Sequence, residues 1–327
     1  MGNDPNPGSP AGTHPTMRDV AALAGVGVMT VSRVVNGRDG VSQELAARVW
    51  QAIEKLDYRH NVNARHLRLT GQRTATIGVL LEDVANPFAA ELLRAVENVV
   101  GDLNCLVLCA SSDGDPTRER VLLGAFCSRR VDGLIIMPCG ADHRYLLPEL
   151  RRGTQVVFAD RPAPTIAADT VLSDNFGGAR QAVAHLLDQG HVRIGFLGDL
   201  RSIHTERLAE EATHELLRSR SAPTAVFTAQ NLLTIGARMA LRSAGAERSI
   251  AHVGFDDIPL GSLLDPGITV VAQHPPALGT LAAQMLLHRI RDTRGAPETV
   301  QVPTTLLTRG SGEIAPPEGA PPTGAGS

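Results

Sequence analysis

The sequence predicts an all-α helix-turn-helix head followed by a larger α/β body built on parallel sheets. Three observations carry this. Two short apolar-periodic segments meet at a glycine near the N-terminus, strand-like and helix-like segments alternate from residue 74 onward, and charge divides unevenly between the two parts.

In the head, Val20-Ala21-Ala22-Leu23-Ala24 stops at Gly25, and Val28, Val31, Val34 and Val35 open a second segment at once. Two short helices joined by a turn containing glycine form the helix-turn-helix layout. The second helix would project Val28, Met29 and Arg33 from its N-terminal half and outer face, where a recognition helix touches base edges. Ser42 caps a third helix, 43–56, with Leu45, Val49, Ala52, Ile53 and Leu56 inward and Trp50, the only tryptophan, within it.

In the body, apolar runs of strand length fall at 76–81, 106–109, 134–137, 155–158, 194–197, 225–228 and 251–254. Helix-period segments separate them at 88–100, 118–129, 144–151, 178–189, 204–218, 232–244 and 276–291. Such repetition implies parallel sheets covered by helices on both faces. Ligands bind beyond the carboxyl ends of such strands. Those ends carry Glu82-Asp83, Ser111-Ser112-Asp113, Asp160-Arg161, Gln230-Asn231 and Asp256-Asp257.

The 327 residues suit two or three domains, and 43% apolar content is ample for a core. Net charge is −3, but residues 16–73 hold nine basic and five acidic side chains, a local +4 that leaves −7 on the rest. A basic head on an acidic body is expected of a DNA reader with a separate sensor. Cys105, Cys109, Cys127 and Cys139 lack zinc-ligand spacing and read as buried small hydrophobes in a reducing compartment. No run is long and apolar enough to span a bilayer, and residues 1–15 have no secretory apolar core, so a cytoplasmic, nucleoid-associated protein is expected. The Pro/Gly-rich stretches 1–15 and 311–327 read as disordered tails.

The head resembles that of the lactose-repressor (LacI/GalR) family of bacterial transcription regulators. The resemblance rests on Thr16-Met17-Arg18-Asp19-Val20-Ala21, Ala24-Gly25-Val26, Thr30-Val31-Ser32-Arg33-Val34-Val35-Asn36, Val41-Ser42, Arg48-Val49 and Tyr58, and runs ungapped to Leu67. The body resembles the family's periplasmic-binding-protein-like core through Thr76-Ile77-Gly78-Val79, Asn86-Pro87-Phe88, Asp132-Gly133, Asp174-Asn175, the stretch 190–198, Pro223-Thr224-Ala225-Val226-Phe227 and Val253-Gly254-Phe255-Asp256-Asp257. The resemblance implies a DNA-binding head at 16–60, a hinge helix and linker at 61–73 and a two-lobed effector-binding and dimerisation core at 74–310. The N-lobe would take about 74–174 and 274–302, the C-lobe about 175–273 and 303–310.

It also implies site residues. DNA would be read by Thr16, Met17, Val28, Met29, Thr30, Ser32, Arg33 and Asn36, with Arg33 the best phosphate or guanine contact and Val28 and Met29 able to touch only a thymine methyl. Residues 61–67 match the hinge helix, Leu67 being the wedge for the minor groove and Ala64 lying at the base edge. A small-molecule effector, a sugar or nucleoside, would meet Asn86, Phe88, Asp160, Arg207, Gln230, Asp256 and Gln273. A homodimer would read a palindromic double-stranded operator.

Three departures from the pattern matter. Gly27 stands where serine is usual. Ala229-Gln230-Asn231 replaces Ala-Asn-Asp. After Arg207-Leu208-Ala209 the chain runs directly into Glu210-Glu211-Ala212-Thr213-His214, and a helix–strand unit is expected to be missing from the C-lobe.

The reading is therefore a repressor of sugar-utilisation genes under a carbohydrate-like effector. The alternatives are a ligand-blind repressor with a degenerate sensor, or a solute-binding protein with a vestigial head. Asp160 and Asp256-Asp257 lack a His or Cys placed as nucleophile partner, and neither a P-loop nor a dinucleotide motif occurs. No catalytic residue, metal or cofactor, no membrane contact and no enzymatic activity is expected.

Overall fold

The computed structural model describes residues 15–35, 40–58, 74–101, 103, 105–198 and 205–317. The chain divides into two compact units, Met1–Gln72 and Arg73–Ser327.

The head unit holds three helices, α1 (Met17–Ala24), α2 (Val28–Val35) and α3 (Gln43–Lys55). Thr16 begins α1 with a capping box, its side chain accepting from Asp19 N while Asp19 accepts from the Thr16 backbone N–H. Gly25 ends α1 in the left-handed region at φ 64°, which glycine adopts without a Cβ penalty. A Cβ there would also lie 2.7 Å from Arg48 Nη2, the atom that donates to the last α1 carbonyl at Ala24. Val20, Ala21, Ala24, Val31, Val34, Val49 and Ala52 form the head's own core.

The body unit contains two parallel α/β layers. The first sheet has the order β10-β5-β4-β3-β1-β2, every pairing parallel. Its strands are β1 (Thr76–Leu81), β2 (Leu106–Ser111), β3 (Gly133–Ile136), β4 (Gln155–Ala159), β5 (Asp169–Ser173) and the returning β10 (Thr299–Val302). One face packs against α4 (Pro87–Gly101) and α10 (Pro275–Arg291) through Leu92, Val96, Leu278, Ala282 and Leu286. The opposite face packs against α5 (Pro116–Ser128) and the short α6 (Leu147–Arg151) through Leu123, Phe126 and Leu150.

The second sheet has the order β11-β9-β8-β7-β6. Its strands are β6 (Ile194–Leu197), β7 (Ala225–Thr228), β8 (Ala251–Phe255), β9 (Thr269–Ala272) and the antiparallel β11 (Thr305–Leu307). α7 (Asn175–Asp188), α8 (Glu206–Leu217) and α9 (Asn231–Ser243) cover it. α9 lies so close to α8 that a Cβ on Gly236 would stand 2.2 Å from the Glu206 carbonyl.

The two sheets differ in one respect. In the first, β1 is interior because β2 flanks it. In the second, β6 takes the place of β1 and is the edge among the described residues, with Phe196 63% exposed.

The chain passes between the lobes three times, after Ser173, after Ala272 and after Val302. These passages are tied together: Asp174 N donates to Val302 O at 2.8 Å, and His274 Nε2 lies 3.0 Å from Thr305 Oγ1.

The structure corrects several expectations. β5, β9, β10 and β11 are additional strands; each is five residues or shorter, and their apolar runs are cut by polar ends. Residues 311–317, expected to belong to a tail, do not. Ser311 is fully buried, donating to His252 O at 2.6 Å and accepting from Thr269 N, while Glu313 meets His185 at 2.6 Å and Ile314 packs on the second lobe. These bonds satisfy backbone groups at the sheet end, so 311–317 belongs to the body. The cysteines are free thiols but not buried hydrophobes: Cys109 is exposed on the edge strand β2 and the other three are half-buried. The terminal stretches 1–14 and 318–327 and the hinge at 61–73 lie outside the described residues.

Candidate functional site

Two sites emerge, one in each unit. In the head, α2 buries Val31 and Val34 and turns its other face outward. Val28 and Met29 are 42% and 72% exposed, Arg33 is exposed, and Thr30 and Ser32 are half-buried. This is the periodicity of an amphipathic helix whose outer face carries one cation and two apolar side chains. Thr16 is exposed but engaged in the cap of α1, and Met17 packs half-buried on the head core. Gly27 starts α2 by accepting from Thr30 N and Val31 N through its carbonyl, and its Cβ position faces open space. Asn36, Ala64 and Leu67 lie outside the described residues.

In the body, a cleft of about 510 Å³ opens between the lobes at the carboxyl ends of both sheets. Of the seven effector residues expected from sequence, six line it: Asn86, Phe88, Asp160, Gln230, Asp256 and Gln273. The seventh, Arg207, does not. It sits exposed in the first turn of α8 and pairs with Glu211 one turn on. That i,i+4 pairing follows from the chain entering a regular helix right after Thr205, whose side chain caps it.

The cleft walls explain the position of each group. Asp160 follows β4 with φ 70° and Asp256 follows β8 with φ 69°, both in the left-handed region that asparagine and aspartate tolerate better than most residues. Each is pinned by its backbone: Asp160 N donates to Val171 O and Asp256 N to Val271 O, both at 2.9 Å. Gln273 Nε2 donates to Asp256 Oδ1 at 2.7 Å, and Gln273 Oε1 is buried without a protein partner. Burial pushes the Asp256 carboxyl up to about 7, with Gln273 opposing and the Asp160 charge adding to the rise. Burial likewise pushes Asp160 up to about 6, against the pull of Arg161. Arg161 is held by Glu82 at 2.6 Å and lies 3.5 Å from Asp160. Phe196, Phe227 and Phe255 line the second-lobe wall in a row, with centroids 5.6 and 6.5 Å apart.

Asn231 falls in the sequence among the strand-end polar residues but outside the expected effector set. It is 2% exposed, and its Nδ2 donates to Asn86 Oδ1 at 2.7 Å while Asn86 Nδ2 donates back at 3.3 Å. The missed signal was position: it is the first residue of α9, beside the cleft. Among the described residues no cluster of His, Cys, Asp or Glu could hold a metal, and no helix is long and apolar enough to cross a membrane.

An exposed reading helix on a three-helix head, with a two-lobed cleft elsewhere in the chain, defines a regulator that couples DNA binding to a small molecule. Residues 16–61 match the bacterial regulatory proteins of the lacI family, residues 74–209 the periplasmic binding proteins and sugar binding domain of the LacI family, and residues 200–312 the periplasmic binding protein-like domain. The ribose operon repressor of Escherichia coli strain K12 is 31% identical over 330 residues, covering 90% of this chain and 99% of that protein. A crystal structure of a LacI family regulator from Enterococcus faecium with bound ribose is 26% identical, with a TM-score of 0.66, covering 74% of this chain and all of that one. The lac repressor dimer bound to operator and an anti-inducer shares the fold, with a TM-score of 0.78 at 24% identity, covering 93% of this chain and all of that one. The chain belongs to the LacI family of bacterial transcription regulators.

Proposed function

We propose that this chain is a cytoplasmic repressor of sugar-utilisation genes that binds a palindromic operator as a homodimer and responds to a small hydroxylated effector, of the sugar or nucleoside kind, in its interlobe cleft. The observation that carries this reading is the cleft itself, with Asn86, Phe88, Asp160, Gln230, Asp256 and Gln273 converging from both lobes. A cavity between two lobes with a few converging polar groups is the usual form of a small-molecule site. The relatives' printed functions, ribose operon repression and ribose binding, support the same class.

On DNA, Arg33 takes a guanine edge or phosphate and Val28 and Met29 lie against thymine methyls. Thr30 and Ser32, with Thr16, Met17 and Asn36, position the head on phosphates. Ala64 and Leu67 enter the minor groove from the hinge. Lobe closure and hinge order are coupled, so effector and operator change each other's affinity by the same factor.

The C-lobe lacks a strand–helix unit between β6 and β7. The free edge of β6 supports this, as does an alignment to the ribose operon repressor of 330 positions that uses only 90% of this chain's 327 residues. A ligand-blind repressor is disfavoured by the polar groups the cleft holds: Asn86, Asp160, Gln230, Asp256 and Gln273.

The test is selection of genomic fragments on the purified full chain across a salt series. Enrichment of one palindrome that persists at moderate salt is expected. Retention that vanishes with salt and yields no shared sequence would overturn the sequence-specific reading. In the same assay Arg33→Ala is expected to cost about 1–3 kcal/mol in specific affinity.

A further inference from the structure

The charges of the cleft are lopsided. Among the described residues, Glu82, Asp83, Asp113, Asp160 and Asp256 line it against one lining cation, Arg161. Arg161 is spent on Glu82, and Asp113 is met by Arg118 from outside the lining, at 2.6 Å. Among the described residues Asp83 Oδ1 accepts from the backbone N–H of Ala85, and Asp256 from the neutral amide of Gln273 and the backbone N–H of Asn231. The second-lobe half of the cleft thus presents Asp256, the orphaned acceptor Gln273 Oε1 and the row Phe196–Phe227–Phe255. Acceptors outnumber donors, and the apolar surface beside them is aromatic.

Each of these features selects on charge. A buried acceptor without a donor costs about 1–3 kcal/mol until something donates to it. Aromatic faces attract a cation within about 6 Å of their centroids, and more so when water is excluded. A neutral polyol supplies as many acceptors as donors and leaves the carboxylates of Asp160 and Asp256 facing each other. An ammonium group supplies donors only, cancels that repulsion and sits against phenylalanine without loss.

We infer that the effector is a small hydroxylated organic cation, whose amine lies at Asp256, Gln273 and the phenylalanine row, and whose hydroxyls reach the Asn86, Gln230 and Asp160 side of the cleft. This rests on the cleft being the effector site, as proposed above. Arg161 and Glu82 neutralise one another, Asp256 faces the amine, and Asp160, on the hydroxyl side, acts on Asp256 through its charge. Both aspartates hold protons more tightly than ordinary carboxyls, so binding a cation releases protons and weakens as pH falls from about 8 to about 6.

The experiment is titration calorimetry on the full-length protein, in phosphate rather than an amine buffer, with matched pairs of probes. 3-Aminopropane-1,2-diol is set against glycerol, and 1-amino-1-deoxyalditols against their parent alditols. The charged member of at least one pair is expected to bind at least tenfold tighter at pH 8. Asp256→Asn, checked for cooperative unfolding, is expected to erase that preference, and aminopropanediol affinity should fall between pH 8 and pH 6 while that of glycerol stays level. Equal or tighter binding by the neutral members overturns the charge assignment and leaves the effector cleft standing. Binding by no member of either pair, to protein that unfolds cooperatively, counts against the cleft as an effector site and overturns this inference with it.

Discussion

Asn86 and Asn231 clasp each other's side-chain amides across the cleft, one from each lobe, by two hydrogen bonds of 2.7 and 3.3 Å. Asn86 opens α4 and Asn231 opens α9, so the pair joins the first turns of two helices that belong to different sheets. Neither bond can survive separation of the lobes.

Asn231→Ala should therefore favour the open arrangement. Each single alanine substitution is expected to cost about 1 kcal/mol of body stability, and the Asn86→Ala/Asn231→Ala cycle should return a coupling of about 1 kcal/mol. Urea denaturation measures the cycle, and small-angle scattering should show a larger radius for either variant. Additive effects with an unchanged radius would sink the idea of a clasp.

Asp256 sets a pH dependence on the body. Its carboxyl stands near 7 in the folded chain against an ordinary value of 3.8, chiefly through burial. The folded state holds that proton the more tightly, so the associated stability is complete below about pH 4 and is lost as pH rises through about 7. Asp256→Asn removes the titration. The variant is expected to gain on wild type by a few kcal/mol between pH 5 and pH 8, read as a widening gap in midpoint denaturant.

Glu119 acts in the opposite direction. It is 1% exposed in α5, and although burial alone would raise its pKa, His143 at 3.0 Å and the Cys139 N–H at 2.7 Å outweigh it and hold the carboxyl at about 2. Stability from this group is full above about pH 4.5 and drains as pH falls toward 2. Glu119→Ala would leave the Cys139 N–H and the Tyr145 hydroxyl without their acceptor and is expected to cost about 3–5 kcal/mol, measurable as a lower denaturation midpoint at pH 7.

Gly236 tests the packing of α9 against α8. A methyl group there meets the Glu206 carbonyl at 2.2 Å and the Ala209 Cβ at 2.6 Å, both fixed in α8. Gly236→Ala must push α9 and α8 apart, at about 1–3 kcal/mol. The head's own unfolding, followed through Trp50 in α3, should be unaffected.

Much of this architecture was legible in the chain. The head could be read because its helices carry caps and a glycine stop within a few residues of each other, at Thr16, Gly25 and Ser42. The long parallel strands could be read because burial on both faces makes them unbroken apolar runs, as in Thr76–Leu81. β10 and β11 could not: Thr299–Val302 and Thr305–Leu307 are short and alternate exposed with more buried positions, and it is the partners β5 and β9, more than thirty residues away, that make them strands. Of the cleft, the strand-end positions announced themselves. Arg207 failed because helix capping by Thr205 decides where its side chain goes, and Asn231 was overlooked because a pairing between residues 145 positions apart leaves no local trace.

The matched left-handed aspartates carry a further meaning. Asp160 and Asp256 occupy the same place in their respective sheets, after the strand next to β5 and next to β9, with the same backbone angle and the same bond to the neighbouring strand. The body is thus a pair of near-repeats facing each other, and a molecule held between them meets similar chemistry from above and below. What prevents such a molecule from binding in two flipped orientations is the way the repeats have diverged. Arg161 follows one aspartate and Asp257 the other, and one half has a flanking strand where the other, among the described residues, ends in an edge. Orientation in this receptor is a product of broken symmetry.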